Sequence, residues 1–85
     1  PLYPTLQEYL YANYFPSDNH EEIIYSIYNG SDHPVVGELL EVDANYELVG
    51  DLWANRVLTV NKNILVGQLE PGEVMIACMK RRNKN

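Results

Sequence analysis

The chain has 85 residues, 12 of them acidic and 6 basic, and a formal net charge of −6 at neutral pH. This length suits one domain spanning residues 1–85, and the acidic balance argues against nucleic acid as a partner because like charges repel the phosphate backbone. The apolar run from Val74 to Met79 is far shorter than the ~20 residues of a membrane span, which argues against a membrane partner. The single cysteine, Cys78, excludes an internal disulfide and a cysteine-cluster metal site, and leaves the cellular compartment undetermined.

The first half of the chain favours strands. Residues 8–15, EYLYANYF, are rich in tyrosine, and residues 21–29, EEIIYSIYN, place β-branched and aromatic side chains alternately on two faces. Both stretches end at clusters of turn-forming residues. A helix remains an alternative for residues 4–15, since Thr5 could cap it and Glu8 could complete a capping box.

A third strand is predicted at residues 35–42, where two acidic residues raise a question of register. Glu38 and Glu41 are three residues apart, so a regular strand would place them on opposite faces. A β-bulge at Gly37 or at Leu39–Leu40 would bring both carboxylates to the solvent side. The sequence therefore predicts an irregularity in this strand.

Four further strands are predicted, at residues 46–53, 57–60, 64–69 and 73–80. Turn signals separate these short strands at intervals of roughly 8–12 residues, which is typical of antiparallel sandwiches and not of alternating strands and helices. The sequence predicts an all-β, immunoglobulin-like antiparallel β-sandwich of about seven strands.

Trp53, within GDLWANRVLTV at residues 50–60, is the first candidate binding residue. Its indole could stack on the flat apolar face of a sugar ring, since tryptophan is a frequent anchor at binding surfaces. It could equally pack at the end of a hairpin, where its large apolar area would stabilise a small domain. On a regular strand Asp51 shares its face, which predicts a position near the rim of the sandwich.

The seven tyrosines raise a second binding hypothesis. Tyr9 and Tyr11 alternate on one face of the first predicted strand, like the aromatic rows of carbohydrate-binding modules. Aromatic side chains are also concentrated in strands because they suit half-buried pleated surfaces. The candidate carbohydrate-binding residues are therefore Trp53, Tyr9, Tyr11 and Asp51, with burial in the sheet or against a neighbouring domain as the competing interpretation.

No set of catalytic residues emerges from the sequence. Cys78 lies between apolar neighbours, where a thiol behaves as a small hydrophobe. His20 and His33 lie in turn clusters, where polar side chains are normally solvated, so they are weak candidates for metal ligands. Asn29-Gly30-Ser31 matches the glycosylation acceptor pattern, which is too short to indicate modification by itself. We predict no catalytic residue, no metal and no cofactor.

The chain also resembles a known family. Asp51-Leu52-Trp53 ends one predicted strand, and Gln68–Val74 contains an apolar strand followed by a Pro-Gly turn. With these motifs the second half resembles the C-terminal β-sandwich accessory domain of glycoside hydrolases, of the alpha-galactosidase-like and alpha-amylase-like kinds. Two stretches of the first half, LYANYFPSD and IIYSIYNGSDHPVVGELLEV, are similar to the opening strands of the same module.

The resemblance implies a non-catalytic C-terminal domain that packs on the preceding catalytic barrel of the same chain and stabilises it. None of the family's catalytic residues maps onto this sequence. Docking of this kind predicts an exposed apolar patch larger than the few hundred Å² usual for a monomer. A free-standing carbohydrate-binding module is the alternative, and it predicts that Trp53 and at least two tyrosines are exposed and coplanar. A third possibility is a protein-interaction domain of the fibronectin or adhesin kind.

Overall fold

The computed structural model describes residues 1–51 and 58–83, and this part of the chain is all-β. Its eight strands are β1 (Leu2–Tyr3), β2 (Leu10–Pro16), β3 (Glu22–Asn29), β4 (Val35–Glu41), β5 (Tyr46–Asp51), β6 (Thr59–Asn61), β7 (Ile64–Leu69) and β8 (Val74–Arg81). Each of the seven predicted strands overlaps a strand of the described structure, and β1 is an additional short strand. The helix considered for residues 4–15 does not form, because a turn precedes β2 and residues 10–16 pair with β3.

The strands form two antiparallel sheets, one of five strands in the order β1-β2-β3-β8-β5 and one of three in the order β4-β7-β6. Apart from β1, four strands face three, as in a constant-type immunoglobulin domain. The last strand, β8, takes the place between β3 and β5, with Ile23 opposite Met79 and Leu48 opposite Met79 on the other side. The predicted antiparallel β-sandwich is therefore confirmed.

Alternation of side chains along β3 explains why this strand lies near the centre of the large sheet. Ile23, Tyr25 and Ile27 point inward and are almost completely buried, while the residues between them face outward. The three-stranded sheet contributes the other half of the core, where Leu40, Leu65 and other side chains have no exposed surface. In the part of the chain that the structure describes, fifteen buried apolar side chains form one core cluster between the two sheets.

The predicted irregularity in β4 is confirmed. The pairing of β4 with β7 shifts between Glu38, which is opposite Val66, and Leu40, which is opposite Leu65. Glu38 and Glu41 are both exposed, as a bulge between them requires. Because of the same bulge, the consecutive residues Leu39 and Leu40 are both fully buried.

The N-terminal segment covers the open edge of β4. Leu6 donates its backbone N–H to the carbonyl of Leu39 (2.8 Å), and the Gln7 side-chain amide donates to the carbonyls of Val36 (3.3 Å) and Glu38 (2.8 Å). Unpaired strand edges promote association with other chains, and these bonds satisfy part of this edge within the molecule.

The segment GDLWANRVLTV does not join two neighbouring strands of one sheet. It leads from β5 in the five-stranded sheet to β6 in the three-stranded sheet, so the predicted hairpin at this point is wrong. The turn at Pro71-Gly72 likewise leads from β7 to β8, which lie in different sheets. The spacing of turn residues predicts where the strands lie in the sequence. The sheet to which each strand belongs depends on pairing between residues far apart in the sequence.

Candidate functional site

The side of the five-stranded sheet that faces away from the core is rich in apolar side chains. We call this side the outer face; its apolar residues are Leu2, Tyr11, Phe15, Ile24, Tyr28, Val49, Val74 and Ile76. Five of them are substantially exposed: Leu2 84%, Val49 62%, Tyr11 54%, Phe15 50% and Tyr28 44%. Several large exposed apolar side chains on one face of a sheet are typical of interaction surfaces.

The strand register arranges the outer face in rows. Tyr11 lies opposite Tyr28, which lies opposite Val74 on the next strand. At the other end of the face Glu22 lies opposite Lys80, and Lys80 lies opposite Glu47. Between these two rows Asn13 lies opposite Ser26, and Phe15 lies opposite Ile24. The outer face therefore has aromatic and aliphatic side chains on both sides of a polar pair and is charged at one end.

Cys78 also faces outward, opposite Ile24, but only 6% of it is exposed. Burial raises the pKa of its thiol above the ordinary value, and the nearby Glu22 carboxylate raises it further. Both effects favour the unreactive thiol over the thiolate. The predicted role of Cys78 as a small hydrophobe agrees with this position.

A shallow cavity lies at the end of the sandwich where β3 leads into the next turn. It is lined by Tyr9, Gly30, Ser31, Asp32 and His33, and its volume is about 350 Å³. We call it the turn cavity. Its lining combines one exposed aromatic ring with a hydroxyl, a carboxylate and an imidazole, and Asp32 Oδ1 lies 3.2 Å from His33 Nδ1.

The buried amide of Asn29 holds the turn that forms this cavity. Its Nδ2 donates to the carbonyls of His33 (2.9 Å) and Leu69 (3.0 Å), and its Oδ1 accepts from the N–H (2.9 Å) and the hydroxyl (2.6 Å) of Ser31. All four hydrogen-bonding positions of the amide are thereby used. Because Asn29 is fully buried and both of its donors are engaged, the glycosylation pattern at Asn29-Gly30-Ser31 does not correspond to an accessible acceptor.

Tyr9 adopts a backbone conformation that is unusual for a bulky residue. Its φ is +61°, in the left-handed region, which a side chain with a Cβ normally avoids. Neighbouring hydrogen bonds hold it there: Gly30 donates its N–H to the carbonyl of Tyr9 (2.8 Å), and the Thr5 hydroxyl donates to the carbonyl of Leu10 (2.7 Å). This turn also explains why β2 begins at Leu10, two residues later than predicted.

The structure separates the residues that were grouped as candidate carbohydrate-binding residues. Tyr9 and Tyr11 are both exposed, yet Tyr9 lines the turn cavity while Tyr11 lies on the outer face. Both lie close to Gly30: its N–H donates to the carbonyl of Tyr9 (2.8 Å), and a Cβ on Gly30 would be 2.9 Å from the Tyr11 ring. Asp51 is at the end of β5, where its Oδ1 accepts the N–H of Ile76 (3.3 Å). Trp53 lies outside the described residues, so its role stays a prediction.

The position of Tyr9 next to the turn after β3 could not be predicted from the sequence. Ser31, Asp32 and His33 were interpreted as solvated turn residues, and only the three-dimensional closeness of Tyr9 gives them an aromatic neighbour. His20 is exposed in another turn, where its carbonyl accepts the hydroxyl of Tyr46. Within residues 1–51 and 58–83 no three His, Cys, Asp or Glu side chains are grouped closely enough to hold a metal ion.

Comparison with protein-family models, with curated proteins and with solved structures finds no significant match to the chain. Among the described residues there is no helix of the length and apolarity needed to cross a membrane. The geometry of the outer face and of the turn cavity is therefore the basis for assigning a function.

Proposed function

We propose that this chain is a non-catalytic β-sandwich module that packs through its outer face on the catalytic domain of a glycoside hydrolase in the same polypeptide. The observation that supports it is the outer face itself, on which Tyr11, Phe15 and Val49 are each about half exposed or more. The resemblance of the sequence to accessory domains of glycoside hydrolases suggests the kind of neighbour.

Burial of the outer face would favour docking. Removing the remaining exposed half of a large apolar side chain from water contributes on the order of 1 kcal/mol. Tyrosine and phenylalanine can be ordered at an interface at a low cost in conformational entropy, because they have few rotatable bonds. The charged end of the face, with Lys80 between Glu22 and Glu47, would form a polar rim.

The test uses a polypeptide that joins this chain to the residues encoded immediately before it. In one variant Phe15→Lys and Val49→Lys add charge to the outer face. In a matched control Val36→Lys and Thr59→Lys add the same charge to exposed positions of the three-stranded sheet. We expect the outer-face variant to lower the midpoint of thermal unfolding and to shorten the half-life of glycosidase activity, and the control to change neither.

Two results would contradict this proposal. The preceding residues could encode no glycoside hydrolase domain, or the outer-face variant could unfold and lose activity at the same rate as the control. The isolated chain carrying the same substitutions serves as a check on folding. Because all four positions are exposed, each substitution is expected to change its stability by no more than about 0.5 kcal/mol.

A further inference from the structure

We infer that the turn cavity is a binding site for a neutral pyranose sugar at the end or in a short segment of a glycan. The inference goes beyond the proposed docking function, because it concerns a different surface of the module. The turn cavity combines one exposed aromatic residue, Tyr9, with the polar side chains of Asp32 and His33. The flat apolar face of a sugar ring matches an aromatic side chain, and its hydroxyls match a carboxylate and an imidazole.

The backbone of Tyr9 is the first argument. A left-handed φ at a residue with a large side chain is unfavourable, and glycine would avoid this cost. The ring does not recover the cost by burial, since Tyr9 is 58% exposed. A strained residue with an exposed aromatic side chain at the wall of a cavity is consistent with a ligand-binding role.

Hydrogen bonds of Asn29 hold the backbone of the turn that carries the polar side chains of the cavity. Asn29 fixes the carbonyl of His33 and both the N–H and the hydroxyl of Ser31, so the turn has little freedom to rearrange. The Ser31 hydroxyl also lies 2.8 Å from the carbonyl of His33. The side chains of Asp32 and His33 are exposed. They can offer hydrogen-bond acceptors and a donor to a ligand without first breaking contacts inside the protein. The Asn29 network therefore holds the backbone that carries these two side chains, while the side chains, 103% exposed for Asp32 and 68% for His33, are open to a ligand.

Charge and size decide the class of ligand. The chain carries a net charge of −6 and Asp32 lines the cavity, so an anionic ligand would be repelled. The volume of about 350 Å³ is at the lower end of the ~300–1,000 Å³ typical of small-molecule sites. A mono- or disaccharide unit fits these limits.

The experiment follows backbone amide signals of the 15N-labelled chain by NMR during titration with maltose, cellobiose, lactose and mannobiose. Titration to about 50 mM covers the millimolar dissociation constants expected of a shallow site. We expect at least one disaccharide to shift the amides of Gly30, Ser31, Asp32 and His33 in a saturable way. Tetramethylammonium is titrated in parallel, because a cation could also bind next to an aromatic ring and a carboxylate.

Tyr9→Gly and His20→Gly form a matched pair of variants. Both residues have a left-handed φ, of +61° and +58°, and both are exposed, so glycine relieves the same backbone strain in each. We expect Tyr9→Gly to weaken sugar binding at least tenfold, and His20→Gly to leave it unchanged. Thermal unfolding is expected to show that neither variant is less stable than the natural chain. Asp32→Ala is expected to weaken binding severalfold with the fold intact.

Three outcomes would overturn the inference: no saturable shift with any of the four disaccharides, shifts that persist undiminished in Tyr9→Gly, or shifts of the cavity amides by tetramethylammonium but by no sugar. None of these outcomes depends on docking through the outer face, because the docking test changes Phe15 and Val49 and leaves the cavity residues intact. Failure of one proposal is therefore distinguishable from failure of the other.

Discussion

Asn29 is a polar side chain at the inner face of an apolar sandwich, and its burial has a specific reason. Its amide connects the turn at residues 30–33 to the carbonyl of Leu69 at the end of β7, so one side chain joins the two sheets. Its backbone adds two further bonds, one from its own N–H to the carbonyl of Glu73 (3.1 Å) and one from the N–H of Gly72 to its carbonyl (2.9 Å). Buried polar groups are tolerated when they are fully hydrogen-bonded, and Asn29 meets this condition.

Asn29→Ala is expected to reduce the free energy of unfolding by about 3 kcal/mol, because it leaves the carbonyl of Leu69 without its amide donor inside the protein. Equilibrium unfolding in urea measures the change as a lower midpoint at an unaltered slope. Asn13→Ala, on the outward side of β2, is the matched control and is expected to change stability by less than about 0.5 kcal/mol. Equal effects of the two substitutions would show that the network of Asn29 contributes little.

Tyr25 is the buried member of a cluster of three tyrosine rings. Its ring contacts that of Tyr3 edge-on, with centroids 4.9 Å apart, and its hydroxyl accepts the N–H of Asp43 (3.2 Å). Tyr14 completes the cluster, 5.3 Å from Tyr3. Burial raises the pKa of the Tyr25 hydroxyl well above its ordinary value, and a hydrogen bond with Tyr3 raises it further.

This raised pKa makes stability depend on pH in the alkaline range. Above about pH 10 the unfolded chain releases the Tyr25 proton while the folded chain keeps it, so stability falls as pH rises. The contribution of Tyr25 to this fall is at most about 1.4 kcal/mol per pH unit. Tyr25→Phe is expected to flatten the decline between about pH 9 and 12, as measured by urea unfolding at each pH. Tyr14→Phe is the control, and an equally steep decline in the Tyr25→Phe variant would contradict the expectation.

At the scale of the strand, the bulge in β4 changes which residues the core receives. A regular strand would bury alternate residues, whereas here Leu39 and Leu40 are adjacent and both have no exposed surface. The bulge also lets Glu38 and Glu41 remain in solvent. The bulge was predictable from the sequence. A regular strand would place either Glu38 or Glu41 in the apolar core, and burying a carboxylate there costs too much free energy.

Leu39→Ala is expected to destabilise the chain by roughly 2–5 kcal/mol, because it removes a fully buried side chain and leaves a cavity. Val36→Ala, three residues earlier on the same strand and exposed, is expected to cost less than about 0.5 kcal/mol. Thermal unfolding of both variants measures the difference. Similar midpoints would mean that the bulge does not direct Leu39 into the core.

Strand positions were accessible from the sequence, and strand partners were not. Alternation of side chains in residues 21–29 and the turn residues between strands are local signals, and both predicted the elements correctly. The pairing of β3 with β8 joins residues about fifty positions apart, for which no local pattern exists. The connection from β5 to β6 was misread as a hairpin for the same reason.

The turn cavity shows the same division between local and long-range information. The sequence identified Tyr9 and Tyr11 as candidate aromatic residues and identified a turn around Gly30, each from its own neighbourhood. It gave no indication that Tyr9 adopts a left-handed backbone or that it meets Asp32 and His33. Tyr9 is held beside this turn by the hydrogen bond from Gly30, which adjoins the pairing of Leu10 with Asn29, nineteen residues away in sequence.

For the molecule as a whole, the central place of β8 in the large sheet limits when the sheet can be completed. During synthesis residues 22–29 and 46–51 emerge before their common partner, residues 74–81. Until that partner arrives, β3 and β5 each have an edge without a neighbour, and the apolar residues between the sheets are open to water. Removal of residues 74–81 is therefore expected to expose both strand edges together and to make the chain prone to aggregation.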